Sequence, residues 1–329
     1  MRRREFISLL GSAASIWPIV ARAQQAERIH RVGVLANYTE NDDEETKRIS
    51  ALRQRLQELG WIEGKNLKTD IRFSGSDAVR LRSDANQLIA LSYEVIVSTT
   101  SRTTRTLLDA TNDIPIVAAT SGDPIGLGFT KSLSRPTGNV TGFTTFNDTL
   151  AAKRFEMLRE ILPATRKTAL IWNPTNPQQE LLEKQTEKAA ETFGIELLSL
   201  PLQTANDIPA ALTKAQSEGV EALIVAADPL TTSNHRAIIQ ECLARKIPAM
   251  HTYAFEAENG ALISYGIDLL ENYRRTAEYV DHIFRGTKIA DLPFQEPTRL
   301  YLAINLRTAR ALGVDVPAAL LAAADKVIE

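Results

Sequence analysis

Short β-rich apolar runs alternate with longer stretches of helical period, and the whole alternation runs through twice. Val32–Ala36 reads as a buried strand, Thr46–Leu59 as a helix closing on Gly60, and Leu67–Phe73 as a strand. Leu81–Leu91 is again helical, and Val95–Val97 and Ile114–Val117 are two further strands. The second pass has strands at Ala169–Trp172, Ile195–Leu200, Ala222–Val225 and Ile247–Met250. Between them lie helices at Gln178–Phe193, Ile208–Glu218 and Asn234–Arg245. Such β-α-β alternation predicts parallel sheets wrapped by helices, because a parallel crossover needs a helix-length connection. The order of elements matches between the passes, so the reading is two similar α/β lobes. The tail adds a strand at Ala261–Tyr265, a long helix at Leu269–Phe284, a short strand at Leu300–Ile304 and a helical start at Asn305–Leu312. If the long helix covers the first sheet, the chain crosses between lobes more than once, and several crossings make a hinge.

The N-terminus carries a separate message. Met1-Arg2-Arg3-Arg4 precedes an apolar stretch, Ile7 to Val20, and Ala21-Arg22-Ala23 offers small residues at a cleavage site. These are the parts of a secretory signal peptide, and the run of about 14 residues falls short of the ~20 that span a bilayer. Arg3-Arg4-Glu5-Phe6-Ile7 fits the twin-arginine export pattern, with the general route left open. Removing residues 1–23, with four Arg and one Glu, leaves 306 residues and moves the formal net charge from −2 to −5. A mildly acidic surface argues against nucleic acid or anionic lipid as the main partner. The single cysteine, Cys242, cannot form an internal disulfide and reads as a small buried apolar residue.

The chain resembles one family throughout its length after the signal: periplasmic substrate-binding proteins of ABC importers, in the group that includes tryptophan- and tyrosine-type binders. The segments that carry the resemblance are Leu59–Asn66, Gly122–Gly126, Pro136–Gly142, Ile171–Pro174, Ala227–Leu230, Ile263–Gly266 and Ile304–Leu306, in that order and spacing. The resemblance implies a type I periplasmic-binding fold with three inter-lobe crossings, near 144–148, 265–268 and 297–302. Lobe I would then hold residues 28–146 and 268–298, and lobe II residues 147–267 and 299–329. It also implies a small-molecule ligand in the cleft, an ABC permease in the inner membrane as partner, and a monomer in the periplasm. Many relatives are lipid-anchored; this chain departs from them in having a cleavable signal and no lipid-acceptor cysteine.

In parallel α/β sheets ligands gather beyond the carboxyl ends of the strands. That rule selects Asn37 and Tyr38 after the first strand, then Thr99, Thr100 and Ser101. Thr120, Ser121 and Asp123 follow the next strand, and the second lobe adds Asn173, Asp228, His251, Thr252 and Tyr253. Tyr265 falls at an expected crossing and serves either hinge or pocket. Hydroxyls and free N–H groups at a helix start can hold a carboxylate, although Ser and Thr there also cap helices. Asp228 either receives a ligand ammonium or caps the helix behind Pro229. Tyr38 and Tyr253 either sandwich an apolar ligand body or pack at the rim. Trp61 and Trp172 read as packing residues.

The expected ligand is an amino acid or an aromatic or other carboxylate. No zinc-protease helix motif, paired-cysteine motif, phosphate-binding glycine loop or nucleophile elbow is present, so no enzyme chemistry, cofactor or metal is expected. His30, His235, His251 and His282 show no metal-ligand spacing. A sensor subunit feeding a membrane receptor, or an exported enzyme, stays as the alternative. A cytoplasmic repressor of the same fold is disfavoured, since no DNA-binding helices precede Val32.

Overall fold

The computed structural model describes residues 28–75, 77–145, 150–297 and 299–329. The expected signal peptide, and the 146–148 part of the first expected crossing, lie outside the described residues. So does Thr298, at the third.

The first lobe is built from β1 (His30–Ala36), α1 (Asp43–Glu58), β2 (Leu67–Phe73), α2 (Ala78–Ala90), β3 (Val95–Ser98), α3 (Ser101–Leu108), β4 (Ile116–Ser121) and β5 (Val140–Thr144). Its sheet has the order β2-β1-β3-β4-β5, and every pair in it is parallel. The central strands are continuous Val/Ile runs because both faces are covered. Val32, Val34, Val95 and Val97 meet Leu52 and Leu56 of α1 on one face. Leu35, Ile96 and Ile116 meet Leu81 and Leu88 of α2 and Leu107 of α3 on the other.

The second lobe follows with α4 (Leu150–Ile161), β6 (Lys167–Trp172), α5 (Pro177–Thr192), β7 (Glu196–Pro201), α6 (Ile208–Ser217), β8 (Ala222–Val225), α7 (Pro229–Ser233), α8 (His235–Ala244), β9 (Ala249–His251), α9 (Ala254–Glu258) and β10 (Ile263–Gly266). After α10 (Leu269–Phe284) come β11 (Tyr301–Asn305), α11 (Leu306–Leu312), α12 (Ala318–Ala323) and β12 (Lys326–Ile328). The second sheet has the order β12-β11-β10-β9-β8-β6-β7, with β10 and β11 antiparallel and the other pairs parallel. Cys242 is buried in this lobe's core beside Ile238 and Val225.

The long helix α10 leaves the second sheet and docks on the first. Tyr273, Ala277 and Val280 join the core formed by Val32, Val34 and Phe143. Trp61 Nε1 donates to Asp281 Oδ1 at 2.8 Å, and Arg55 pairs with Glu278 at 2.8 Å. Phe143 then bridges Gln295 before the chain returns to the second sheet at β11. The chain therefore passes between lobes three times: between β5 and α4, between β10 and α10, and between Gln295 and β11.

Two strands differ from their sequence reading for a common reason. The fourth and ninth begin at Ile116 and Ala249 rather than at Ile114 and Ile247, since Pro115 and Pro248 have no N–H for the ladder. The fourth strand also runs on to Ser121, which puts Thr120 and Ser121 on the strand end itself. β5, α4, α9, α12 and β12 have no counterpart in the sequence reading, while α7 is the helix expected behind Pro229.

Candidate functional site

The carboxyl ends of the two sheets face each other across a cleft of about 1050 Å³ of non-atom space, solvent at its mouth included. The first lobe lines it with Tyr38, Thr100, Ser101, Thr120 and Ser121, and the second with Asp228, Thr252 and Tyr253. These eight were selected by the strand-end rule. Asn37, Thr99, Asp123, Asn173 and His251, selected by the same rule, and Tyr265, selected for its place at an expected crossing, lie outside the lining.

At the start of α3, Thr100 has extended backbone and its Oγ1 accepts from Thr103 N, while Thr103 Oγ1 accepts from Thr100 N at 2.9 Å. This reciprocal cap uses the Thr100 hydroxyl as an acceptor, and its O–H can still donate. Ser101 Oγ accepts from Gly122 N and donates to Gln178 Oε1, both at 2.8 Å, so it joins the two lobes. Thr99 stands behind this layer: its Oγ1 accepts from Asn37 N at 3.3 Å, and its carbonyl accepts from Thr120 Oγ1 at 2.6 Å. Ser121 Oγ is buried and, among the described residues, has no partner. Asp123 accepts from Ile125 N at 3.0 Å in the next turn.

On the second lobe, Asp228 caps α7 through Leu230 N at 2.9 Å. Asn173 Nδ2 and Asn176 Nδ2 each donate to its carboxylate at 2.8 Å, which places Asn173 as a prop behind Asp228. No cation lies within ion-pair distance of Asp228 among the described residues. His251 is fully buried, with Nδ1 3.2 Å from Glu256 Oε1. Glu256 also accepts from Thr252 N at 3.1 Å and Tyr253 N at 2.8 Å. Burial alone would raise its pKa, but the His251 ring and these N–H groups outweigh burial and hold it below the ordinary carboxylate value. Tyr265 is half-buried against the second core, and its carbonyl rather than its ring faces the site.

The two aromatic walls are fixed from behind. Arg48 lies over the Tyr38 ring at 5.4 Å and also 5.7 Å from the Phe255 ring of the opposite lobe. Tyr253 stacks on Phe255 with centroids 5.9 Å apart. Burial pushes the Tyr253 hydroxyl up to about 12, so it stays a neutral donor at ordinary pH.

Among the lining residues that were not anticipated, Gln178 and Arg154 bring the most chemistry. Gln178, near the start of α5, lies against Gly122: a Cβ there would sit 2.2 Å from its Cδ. Arg154 of α4 is 4% exposed. It donates from Nη2 to Thr252 Oγ1 at 2.9 Å and Tyr265 O at 3.1 Å, and from Nε to Tyr265 O at 3.3 Å. Burial pulls its guanidinium down to about 10, which leaves it charged at neutral pH. The sequence held a signal for it: Ala151, Phe155, Leu158 and Ile161 form an apolar stripe, and Arg154 falls inside that stripe.

A two-lobed α/β molecule whose strand ends converge on one polar cleft defines the class of solute-binding proteins. More narrowly, the chain belongs to the ABC transporter substrate binding protein family, whose sequence profile matches residues 33–328. This is a family of substrate-binding proteins rather than enzymes, and membership implies a small-molecule ligand and a transporter permease as partner. The chain is 23% identical over 257 residues to a tyrosine-binding protein of Clostridioides difficile, covering 78% of this chain and 74% of that one. It superposes with a TM-score of 0.85 on an ABC domain in complex with L-Trp from Streptococcus pneumoniae, at 24% identity and covering 91% of this chain and all of that one. A conserved domain protein of Vibrio cholerae matches with the same TM-score and coverage, at 26% identity. Among the described residues, no helix is long and apolar enough to cross a membrane.

Proposed function

We propose that this chain is the extracytoplasmic solute-binding component of an ABC importer. It is exported by its N-terminal signal, cleaved near Ala23, and works as a periplasmic monomer. It takes an amino acid, or an aromatic or other carboxylate, into the cleft, closes by its hinge, and presents the closed form to the permease. The two lobes divide as 28–146 with 268–298, and 147–267 with 299–329. Tyr38, Thr100, Ser101, Thr120, Ser121, Asp228, Thr252 and Tyr253 contact the solute, while Asn37, Thr99, Asp123, Asn173, His251 and Tyr265 hold them in place.

The observation that carries this reading is the cleft lined from both lobes, with Ser101 and Gln178 bonded across it. The tyrosine-binding relative and the L-Trp complex lend weight to an amino acid or aromatic acid. The test is a thermal-shift screen of residues 24–329 against amino acids, aromatic acids and small carboxylates. A ligand of the folded state adds about 2.7 kcal/mol at a hundredfold excess over Kd. A dose-dependent rise with one class, and no turnover of it, is the expected result. A compound converted by the protein would support an enzyme instead.

A further inference from the structure

Among the described residues, Arg154 is the one cation that lines the cleft, and Asp228 the one anion. The two do not pair with each other, nor with any other charged side chain. Arg154 is more than nine-tenths buried, and its three hydrogen bonds all go to neutral acceptors, Thr252 Oγ1 and the Tyr265 carbonyl. Its Nη1 makes no bond to any described residue. Glu256, on the same lobe, acts on Arg154 through space but bonds His251 and two backbone N–H groups rather than the guanidinium. A guanidinium taken out of water without a directly bonded anion is costly, because neutral acceptors and a charge at a distance replace only part of its hydration. With Nε and Nη2 engaged, Nη1 keeps its N–H donors for a carboxylate in a charge-assisted bond. Beside it, Leu150, Ala151, Leu182 and Ile267 supply an apolar wall.

We infer that Arg154 is the carboxylate anchor of the cleft, so that the second lobe reads the solute's negative charge. This rests on the solute-binding reading and moves the anion from the start of α3, where Thr100 caps the helix and Ser101 holds Gln178. A solute lacking a carboxylate then has no group to compensate Arg154 and is rejected.

The experiment compares wild type, Arg154→Met and Arg154→Lys of residues 24–329 by thermal shift and calorimetry. The probes are matched pairs: L-tyrosine with L-tyrosinamide, L-tryptophan with L-tryptophanamide, and benzoate with benzamide. At least one carboxylate should stabilise the wild type while its amide does not. Arg154→Met should lose roughly thirtyfold or more in affinity for that carboxylate, as expected when one partner of a buried charge pair is removed. Arg154→Lys should recover part of it, since it keeps a positive charge but not the guanidinium geometry. Without ligand, Arg154→Met should melt no lower than wild type, because it removes a buried charge that no anion bonds directly.

An amide that binds as well as its acid overturns the inference and leaves solute binding intact. So does carboxylate binding that survives Arg154→Met. If no probe stabilises the wild type, the reading of solute class fails, and the ligand-free melting still decides for Arg154. A fall of roughly 4 °C or more would then make it a structural residue and overturn its role as anchor.

Discussion

Thr100 shows how a residue can line a cleft and still be occupied elsewhere. Its hydroxyl satisfies an N–H group of the first turn of α3 that would otherwise lack a partner. Thr100→Ala is expected to lower stability by about 1 kcal/mol in a denaturant titration, the usual worth of a cap. An unchanged midpoint would mean that the cap does not form in solution. Glu256, behind the cleft lining, is likewise fully committed. Its pKa is depressed when folded, so its bonds contribute stability above the ordinary value of 4.5 and lose it as pH falls through the folded value. Glu256→Gln should therefore cost about 1–3 kcal/mol near neutrality. The gap to wild type should narrow as pH drops below 4.5; a gap constant with pH contradicts the assignment. At this scale the sequence showed which loops meet, because strand ends are legible from Val/Ile runs. It did not show which atoms are already spoken for: Thr100 and Asn173 are used internally, and only packing reveals that. Arg154 escaped for a related reason, since Lys153, Glu156 and Arg159 around it blur the stripe that it interrupts.

Among the elements, β5 illustrates what the pattern could not reveal. Val140–Thr144 has a glycine at its centre, which reads as a turn, yet it pairs with β4 in parallel. Gly142 permits the pairing: it has φ +147°, and a Cβ there would lie 2.1 Å from the Ala118 carbonyl oxygen. Gly142→Ala must push two backbones apart and should destabilise the protein by about 3 kcal/mol or more, combining overpacking with backbone strain. A denaturation midpoint within error of wild type would refute this account of the strand. By contrast α10 was legible at both boundaries, Leu269 and Phe284, because its apolar stripe is long and regular. Its docking on the first lobe was legible only as a condition. The bonds that fix it there, Trp61 to Asp281 and Tyr273 to Glu45, join residues more than 200 positions apart.

Over the whole molecule, the lobes meet through few contacts. Among the described residues, Ser101 bonds Gln178, Ser233 donates to the Asp42 carboxylate at 2.5 Å, the exposed Arg236 pairs with Asp43 at 3.9 Å, and Arg48 reaches the Phe255 ring. A neutral hydrogen bond contributes about 1 kcal/mol and an exposed ion pair about 0–1 kcal/mol, so only a weak balance of contacts holds the lobes together. A solute that touches both lobes would shift that balance by its greater affinity for the closed form. The measurement that tests this most directly is a calorimetric titration of residues 24–329 with the carboxylate that the thermal screen selects, in wild type and in Ala151→Trp. Ala151 is half-buried and lines the cleft, so the larger ring occupies the space meant for the solute. The prediction is one saturable site per chain in the wild type and loss of binding in the variant, with both proteins melting alike. Binding that persists at wild-type affinity with the cleft filled would place the solute elsewhere and contradict the account.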